Sequence, residues 1–286
     1  THAREIAKTA DAIGFSVEPY TPELIGTFNS CKILCRFGTG LDNIDLGAAA
    51  RAGIWVTNVP DAYVEEVSTH AITLLLACNR HLVQLDRSTH EGRWENQGQK
   101  ITRLRGQTLG LLGFGFIARS TALKAQGLGL NVIACDPFVE PGVFTAKNVS
   151  QVGFEELLKT SDYLSLHVPA TPDTRGIINS DRLKLMKPGA FLINTARGAL
   201  IDEHALLAAI QSGQIQGAAL DVRAVEPTPA DDPLLKEERI LLTPHLGWCS
   251  TEGGYDLRVR ASLEIVRVLR GEKPLNPANQ PDFQTR

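Results

Sequence analysis

The sequence predicts an α/β protein built from a doubly wound parallel sheet and a second, smaller α/β lobe. Three observations lead there. From Thr108 onward, short apolar runs alternate with segments whose apolar residues recur at helical spacing. One of these runs, Leu109 to Leu112, is bounded by glycine and leads directly into a helical pattern. Residues 1–60 repeat the same alternation three times on a smaller scale.

In chain order, a polar helix over Thr1 to Lys8 precedes a strand at Ala12–Val17. Thr21-Pro22 opens a helix with a capping hydroxyl followed by proline at the first position. A strand at Lys32–Gly38, a helix at Leu46–Ala52 and a strand at Ile54–Asn58 complete the first lobe. The run from Val64 to His90 reads as one long helix, with Val67, Ala71, Leu74, Leu75 and Cys78 on its apolar side. Beyond Leu112, strands are expected at Asn131–Asp136, Tyr163–Val168, Phe191–Ala196, Gly217–Val222 and Ile240–His245, with helices between them. Ser180 and Asp202 are the expected N-caps of two of those helices. A last helix, Thr251 to Arg270, follows the final strand. Its return to the first lobe would make that lobe discontinuous, residues 1–60 with 257–286 against 61–256 for the larger domain. The Pro/Asn-rich tail after Gly271 is expected to be mobile.

The bulk numbers exclude several classes. The 286 residues suffice for two domains, and 43% hydrophobic with 21% charged residues is ordinary globular composition. A net charge of −3 offers no electrostatic reason to bind nucleic acid or an anionic membrane. The apolar runs, such as Ile72 to Cys78, are too short to span a bilayer. Five cysteines without a C-x-x-C pair fit reduced thiols in the cytoplasm. No signal peptide is visible, and the chain begins at Thr1 with Met186 its only methionine. Metal binding is not expected, because no His/Cys/Asp cluster has ligand spacing. No G-x-S-x-G nucleophile turn is present either.

The run Gly113-Phe-Gly-Phe-Ile-Ala118 carries the first chemistry. Gly113 and Gly115 permit a tight turn, and the helix opening at Phe116-Ile117 points free N–H groups and a positive end at an anion. Ala118 stands where a third glycine usually allows close helix–strand packing. A lone glycine motif is also found in purely structural turns. Here Asp136 ends the next strand about twenty residues further on, where an NAD ribose hydroxyl is bound. Pro137 follows, and no Arg or Lys stands beside it to receive a 2′-phosphate. The expected cofactor is therefore NAD.

Ligands of open α/β sheets sit beyond the carboxyl ends of the strands. Arg197, Glu226 and His245 all follow such ends. An arginine holds a carboxylate through two parallel hydrogen bonds, and a histidine beside a carboxylate keeps its proton at neutral pH. With a nicotinamide, these are the parts for hydride transfer to a 2-oxo acid. His245 taken alone reads as structural; His2, His81, His90 and His204 read as surface residues. The three complementary strand-end groups beside a nucleotide fold select the catalytic reading.

Several segments resemble the D-isomer-specific 2-hydroxyacid dehydrogenase family. They are Arg36-Phe-Gly-Thr-Gly-Leu-Asp-Asn-Ile-Asp45, Gly113 to Ala118, Asn194-Thr-Ala-Arg-Gly198, Gly217 to Val222, Glu226-Pro227 and Thr243-Pro-His-Leu-Gly-Trp248. Arg36 to Gly40, Val64-Glu-Glu66 and Pro244 to Trp248 look closest to the branch that holds the C-terminal-binding proteins, dehydrogenase-like transcriptional co-repressors. The resemblance implies a Rossmann NAD domain and a flavodoxin-like substrate domain, working as a homodimer on a small 2-oxo acid or D-2-hydroxy acid. It implies that Arg197 binds the substrate, His245 exchanges the proton and Glu226 keeps His245 charged. It places Asp221 on the nicotinamide amide, Thr195 and Ala196 along the cofactor, and Val168, Pro169 and Thr174 along the adenosine. Backbone N–H groups at Gly38, Thr39 and Gly40 would meet the substrate carboxylate with Arg36 nearby. Trp248 would border both the substrate side chain and the cofactor. Relatives begin with two strands ahead of the one at Ala12, so the smaller lobe is expected to be N-terminally incomplete, leaving Ala12–Val17 as an edge.

Three functions remain open on these residues: an NAD-dependent oxidoreductase, an NAD(H)-sensing interaction protein with little turnover, and a methyltransferase using a similar glycine turn. The last gives Arg197, Glu226 and His245 no task.

Overall fold

The computed structural model describes residues 2–94 and 101–283. The chain divides into two compact units, Thr1–Tyr63 with Cys249–Arg286 and Val64–Trp248. The second crossing falls at 248/249 rather than 256/257. The helix Thr251–Leu269 lies whole in the smaller unit, where its Leu257, Ala261 and Val268 are buried with Ile33, Cys35 and Trp55.

The smaller unit has a parallel sheet of β1 (Ala12–Phe15), β2 (Ile33–Arg36) and β3 (Trp55–Thr57), in that order. Thr21 caps the short helix Pro22–Ile25, and Asp45 Oδ1 caps Leu46–Arg51 through the Ala48 N–H at 2.7 Å. β1 is an edge strand, four residues long. The opposite edge is covered. Residues expected to be mobile run antiparallel to β3: Pro277 bridges Thr57, and the Ala278 N–H bonds the Val56 carbonyl at 2.8 Å. The Asn279 side chain accepts from the Val56 N–H and donates to the Ile54 carbonyl. A Pro/Asn-rich composition says nothing against such anchoring, because edge pairing needs only backbone and one amide.

The larger unit holds seven parallel strands: β4 (Thr108–Leu112), β5 (Asn131–Cys135), β6 (Ser150–Gln151), β7 (Tyr163–Leu166), β8 (Phe191–Asn194), β9 (Gly217–Leu220) and β10 (Ile240–Leu242). Their order is β10-β9-β8-β7-β4-β5-β6, so the winding reverses between β4 and β7. Both faces of the sheet are packed. Ile72, Leu75, Ala118 and Ala122 cover one, and Leu157, Leu183, Leu206 and Ile210 the other. Strands buried on both sides need continuous apolar runs, which is the pattern in the sequence.

Two local expectations are corrected. The run 64–90 is two helices, Val64–Asn79 and Leu82–His90, separated where His81 turns left-handed at φ 50°. Apolar spacing continues across such a break, so periodicity alone hides it. Ser180 is the first residue of its helix; the cap is Asn179, whose Oδ1 accepts from the Arg182 N–H at 3.1 Å. Asp202 caps Glu203–Gln211 as expected, accepting from the Ala205 N–H. The short β6 and the helix Pro141–Thr145 carry too few residues for any periodicity to appear.

Candidate active site

The glycine turn leaves β4 at the point where the winding reverses. Gly113 has φ 93°, and a Cβ there would stand 2.8 Å from the His167 backbone at the end of β7. Only glycine satisfies both demands. Gly115 is the N-cap of the helix Phe116–Gly127 and gives it no side-chain bond, so the first N–H groups stay available. Phe116 is exposed, Ile117 half-buried and Ala118 fully buried against the sheet. Asp136 follows β5, its Oδ2 accepting from the Phe114 N–H at 2.8 Å and its Oδ1 from the Phe138 N–H at 3.0 Å. The carboxylate is thereby tied to the glycine turn, with lone pairs left for ribose hydroxyls.

Val168 and Pro169 continue β7, and the Thr174 hydroxyl is spent on that loop, donating to the Pro169 carbonyl at 2.6 Å. Beneath it lies a residue that sequence reasoning passed over. His167 is bonded to the Ser165 hydroxyl at 3.0 Å, and burial drops its pKa to about 4. It is a neutral wall to the turn. After β8, Thr195 is buried with its hydroxyl lacking a hydrogen-bond partner, an unusual state for an interior polar atom. The open N–H groups, the Asp136 carboxylate and the unspent Thr195 hydroxyl fit a dinucleotide laid along this edge.

Asn194, fully buried at the end of β8, accepts from the Ala196 N–H and donates to the Arg197 carbonyl at 2.8 Å. This folds the turn that presents Arg197. The next loop abuts it: a Cβ on Gly198 would stand 1.9 Å from the Arg223 carbonyl carbon. Arg223 in turn donates its N–H to Glu226 Oε1 at 2.8 Å. The other carboxylate oxygen, Oε2, meets His245 Nδ1 at 2.7 Å. Hydrogen bonding to Glu226 raises the His245 pKa against the opposing effect of burial, with the Asp221 charge adding to it and Arg197 opposing. Burial pulls the Glu226 pKa up, but His245, the Arg223 N–H and the Arg197 charge outweigh it and leave it lowered. A charged carboxylate can only accept, so Nδ1 carries the donated hydrogen and Nε2 is the nitrogen left to exchange a proton.

His245 itself is held at φ 54°, its N–H bonded to the Asp221 carbonyl at 2.8 Å. Asp221, buried at the end of β9, is the hub of this turn. It accepts from the Thr243 hydroxyl at 2.6 Å, the Leu246 N–H at 3.0 Å and the Gly247 N–H at 2.9 Å. His70, from the helix Val64–Asn79, lies 3.2 Å from its Oδ1 and 3.1 Å from the Thr243 hydroxyl. Burial would raise the Asp221 pKa, yet these hydrogen bonds hold it at about 2. His70 was not anticipated. Its only sequence signal is a polar ring inside an otherwise apolar helix face, and its partners lie more than a hundred residues away. Trp248 closes the unit, partly exposed.

Arg36, Gly38, Thr39 and Gly40 belong to the smaller unit. There the Asn58 amide donates to the Thr39 carbonyl at 2.6 Å and the Val59 N–H bonds the Gly38 carbonyl. The Arg36 guanidinium lies over Gly38, about where a side chain would collide with it at 3.1 Å, and donates to the Phe37 carbonyl. Among the described residues, no group of three or more His, Cys, Asp or Glu could hold a metal ion.

A parallel sheet with a glycine turn at its switch point, and an Arg, Glu and His beyond neighbouring strand ends, is the arrangement of the dinucleotide-binding class of open α/β proteins. Residues 72–247, more than half the chain, match the D-isomer specific 2-hydroxyacid dehydrogenase NAD binding domain. The chain belongs to this family and binds NAD through that domain. It is 37% identical over 281 residues to the D-3-phosphoglycerate dehydrogenase of Archaeoglobus fulgidus, covering 98% of this chain and 53% of that protein. The glyoxylate reductase of Korarchaeum cryptofilum is 36% identical over 287 residues, covering 99% of this chain and 86% of that one. The D-lactate dehydrogenase from Aquifex aeolicus, complexed with NAD and lactic acid, superimposes with a TM-score of 0.88 at 29% identity, over 98% of this chain and 90% of that one. The chain spans about half the length of the phosphoglycerate dehydrogenases it matches.

Proposed function

We propose that the chain is an NAD-dependent oxidoreductase that interconverts a 2-oxo acid and its D-2-hydroxy acid. The observation that carries this reading is the Glu226–His245 pair at 2.7 Å, with Arg197 near enough to perturb both charges. Bound NADH would supply the hydride to the carbonyl carbon. The chain's task is the proton: His245 Nε2 gives it to the carbonyl oxygen in reduction and takes it back in oxidation. Arg197 holds the carboxylate and polarises the carbonyl beside it. The charged Glu226 keeps His245 protonated until that transfer and fixes the ring through Nδ1. Val168, Pro169, Thr174, Thr195, Ala196, Asp221 and Trp248 are the proposed further cofactor contacts. Arg36 and the N–H groups of Gly38 to Gly40 are the proposed carboxylate contacts of the smaller unit, a reading that rests on the resemblance.

A panel of 2-oxo acids followed by NADH absorbance tests the activity. Turnover on at least one small 2-oxo acid is expected. Tight NADH binding with no turnover on any would replace the enzyme by the NAD-sensing reading. Five cysteines with no C-x-x-C spacing are in keeping with the reducing, cytoplasmic setting that we propose. No helix among the described residues is long and apolar enough to cross a membrane. We place a homodimer contact at the helix Leu82–His90, where Leu82 and Val83 are exposed. Sedimentation should give twice the chain mass at micromolar concentration; a monomer there removes this assignment.

A further inference from the structure

We infer that Arg223 is a positioning residue for the Glu226–His245 pair, acting as a buried brace that aims the Glu226 carboxylate. This rests on the proposed function for its meaning, but its geometry stands alone. Arg223 follows the Asp221-Val222 end of β9 and faces inward, its side chain only 5% exposed. An isolated guanidinium at such a place is costly, so its partners matter. Nε and Nη2 reach both oxygens of Glu203 at 2.9 and 3.1 Å, a two-point fork that lysine cannot copy. Nη2 also meets Asp232 Oδ2 at 2.9 Å, and Nη1 lies 3.4 Å from the Thr228 hydroxyl.

The anchors come from two further elements. Glu203 opens the helix Glu203–Gln211, and Asp232 caps the 3₁₀ turn Pro233–Lys236. Between them they grip the loop that starts at Arg223 and carries Glu226. Glu203 Oε1 takes the Ala224 N–H as well, at 3.0 Å. The buried Arg223 side chain thus ties the loop to Glu203 and Asp232, while its own N–H donates to Glu226 Oε1 and its carbonyl backs onto Gly198, next in sequence to Arg197. One residue connects the Arg197 turn, the Glu226 carboxylate and the carboxylates of Glu203 and Asp232. If the guanidinium loses its fork, the N–H that orients Glu226 has no fixed origin.

The expected consequence is read at His245, which is faced by Glu226, Asp221 and Arg197, with Glu226 faced in turn by Arg197 and the Arg223 N–H. Histidine-labelled full-length protein would be titrated by NMR without substrate, with His245→Ala identifying the resonance. In Arg223→Lys the His245 midpoint should fall by about one pH unit, as expected when an aimed carboxylate moves away. Glu203→Gln, which leaves Arg223 its Asp232 and Thr228 contacts, should give a smaller fall in the same direction. It decides the question if the lysine variant does not fold. An unchanged His245 midpoint in folded Arg223→Lys, or in Glu203→Gln if that is the only folded variant, overturns the inference and leaves Arg223 a stabilising ion pair only. The titration needs no turnover, so a protein inert toward every 2-oxo acid, which defeats the proposed function, still decides the role of Arg223.

Discussion

The two sides of the large sheet end in loops of opposite construction. Beyond β4 the mouth of the turn is open at Gly115: apart from its chain neighbours nothing stands within 4 Å of where a Cβ would lie, and the N-terminus of its helix has no side-chain cap. Beyond β8, β9 and β10 the loops are cross-braced. Gly198 backs onto Arg223, Asp221 gathers one hydroxyl and two N–H groups, and Glu226 is held by Arg223 while it holds His245. The difference matches the tasks proposed for the two sets of loops. A pyrophosphate is bound by backbone dipoles, which need open space more than side chains. A proton donor must be aimed before substrate arrives, which takes side chains locked by their neighbours.

Substitutions can break each half separately. His245→Ala should lower turnover by roughly 10²–10⁴-fold while NADH affinity, measured by fluorescence titration, stays near wild type. The same pair is expected to set the pH response. His245 has a raised pKa, so reduction should hold its rate below that value and fall as pH rises through it, and oxidation should do the reverse. Glu226→Gln removes the carboxylate and should move the falling limb to lower pH; a limb that stays put would mean that the pair does not govern it.

On the bare side, Asp136 should repel a 2′-phosphate. NADPH should be disfavoured by on the order of a hundredfold in kcat/KM, like charges at close range costing several kcal/mol. Equal specificity constants for the two cofactors would remove that role. The glycines give the sharpest contrast. Gly198→Ala drives a methyl group into the Arg223 backbone and should cost about 1–3 kcal/mol of stability, read by denaturant titration, with activity falling alongside. Gly115→Ala meets nothing and has ordinary φ, so its melting temperature should hold or rise slightly. Its NADH affinity should still fall about tenfold, near 1.4 kcal/mol, as the methyl group occupies pyrophosphate space. If both glycines behaved alike, the contrast between a bare and a braced edge would fail.

Much of this was legible in the linear chain. Buried parallel strands need unbroken apolar runs, and a phosphate-binding turn needs glycine, so local composition alone announces β4, its turn and the strand ends bearing Arg197, Glu226 and His245. The break at His81 was not legible, because a single left-handed residue leaves apolar spacing intact on either side. Nor was the docking of Pro277 to Asn279 on β3, which depends on a partner more than two hundred residues away.

The sequence by itself determined the main strands, most of the longer helices, their order and the residue types that stand at each strand end, since these follow from short-range sterics and burial. Only the tertiary structure decided which of those residues meet. His70 reaches Asp221, Glu203 and Asp232 close on Arg223, and Arg223 aims Glu226 at His245 through loops from separate strands and helices. Hydrogen bonds and ion pairs act over about 3 Å of space and take no account of separation along the chain. That is why the chemistry was readable and its bracing was not.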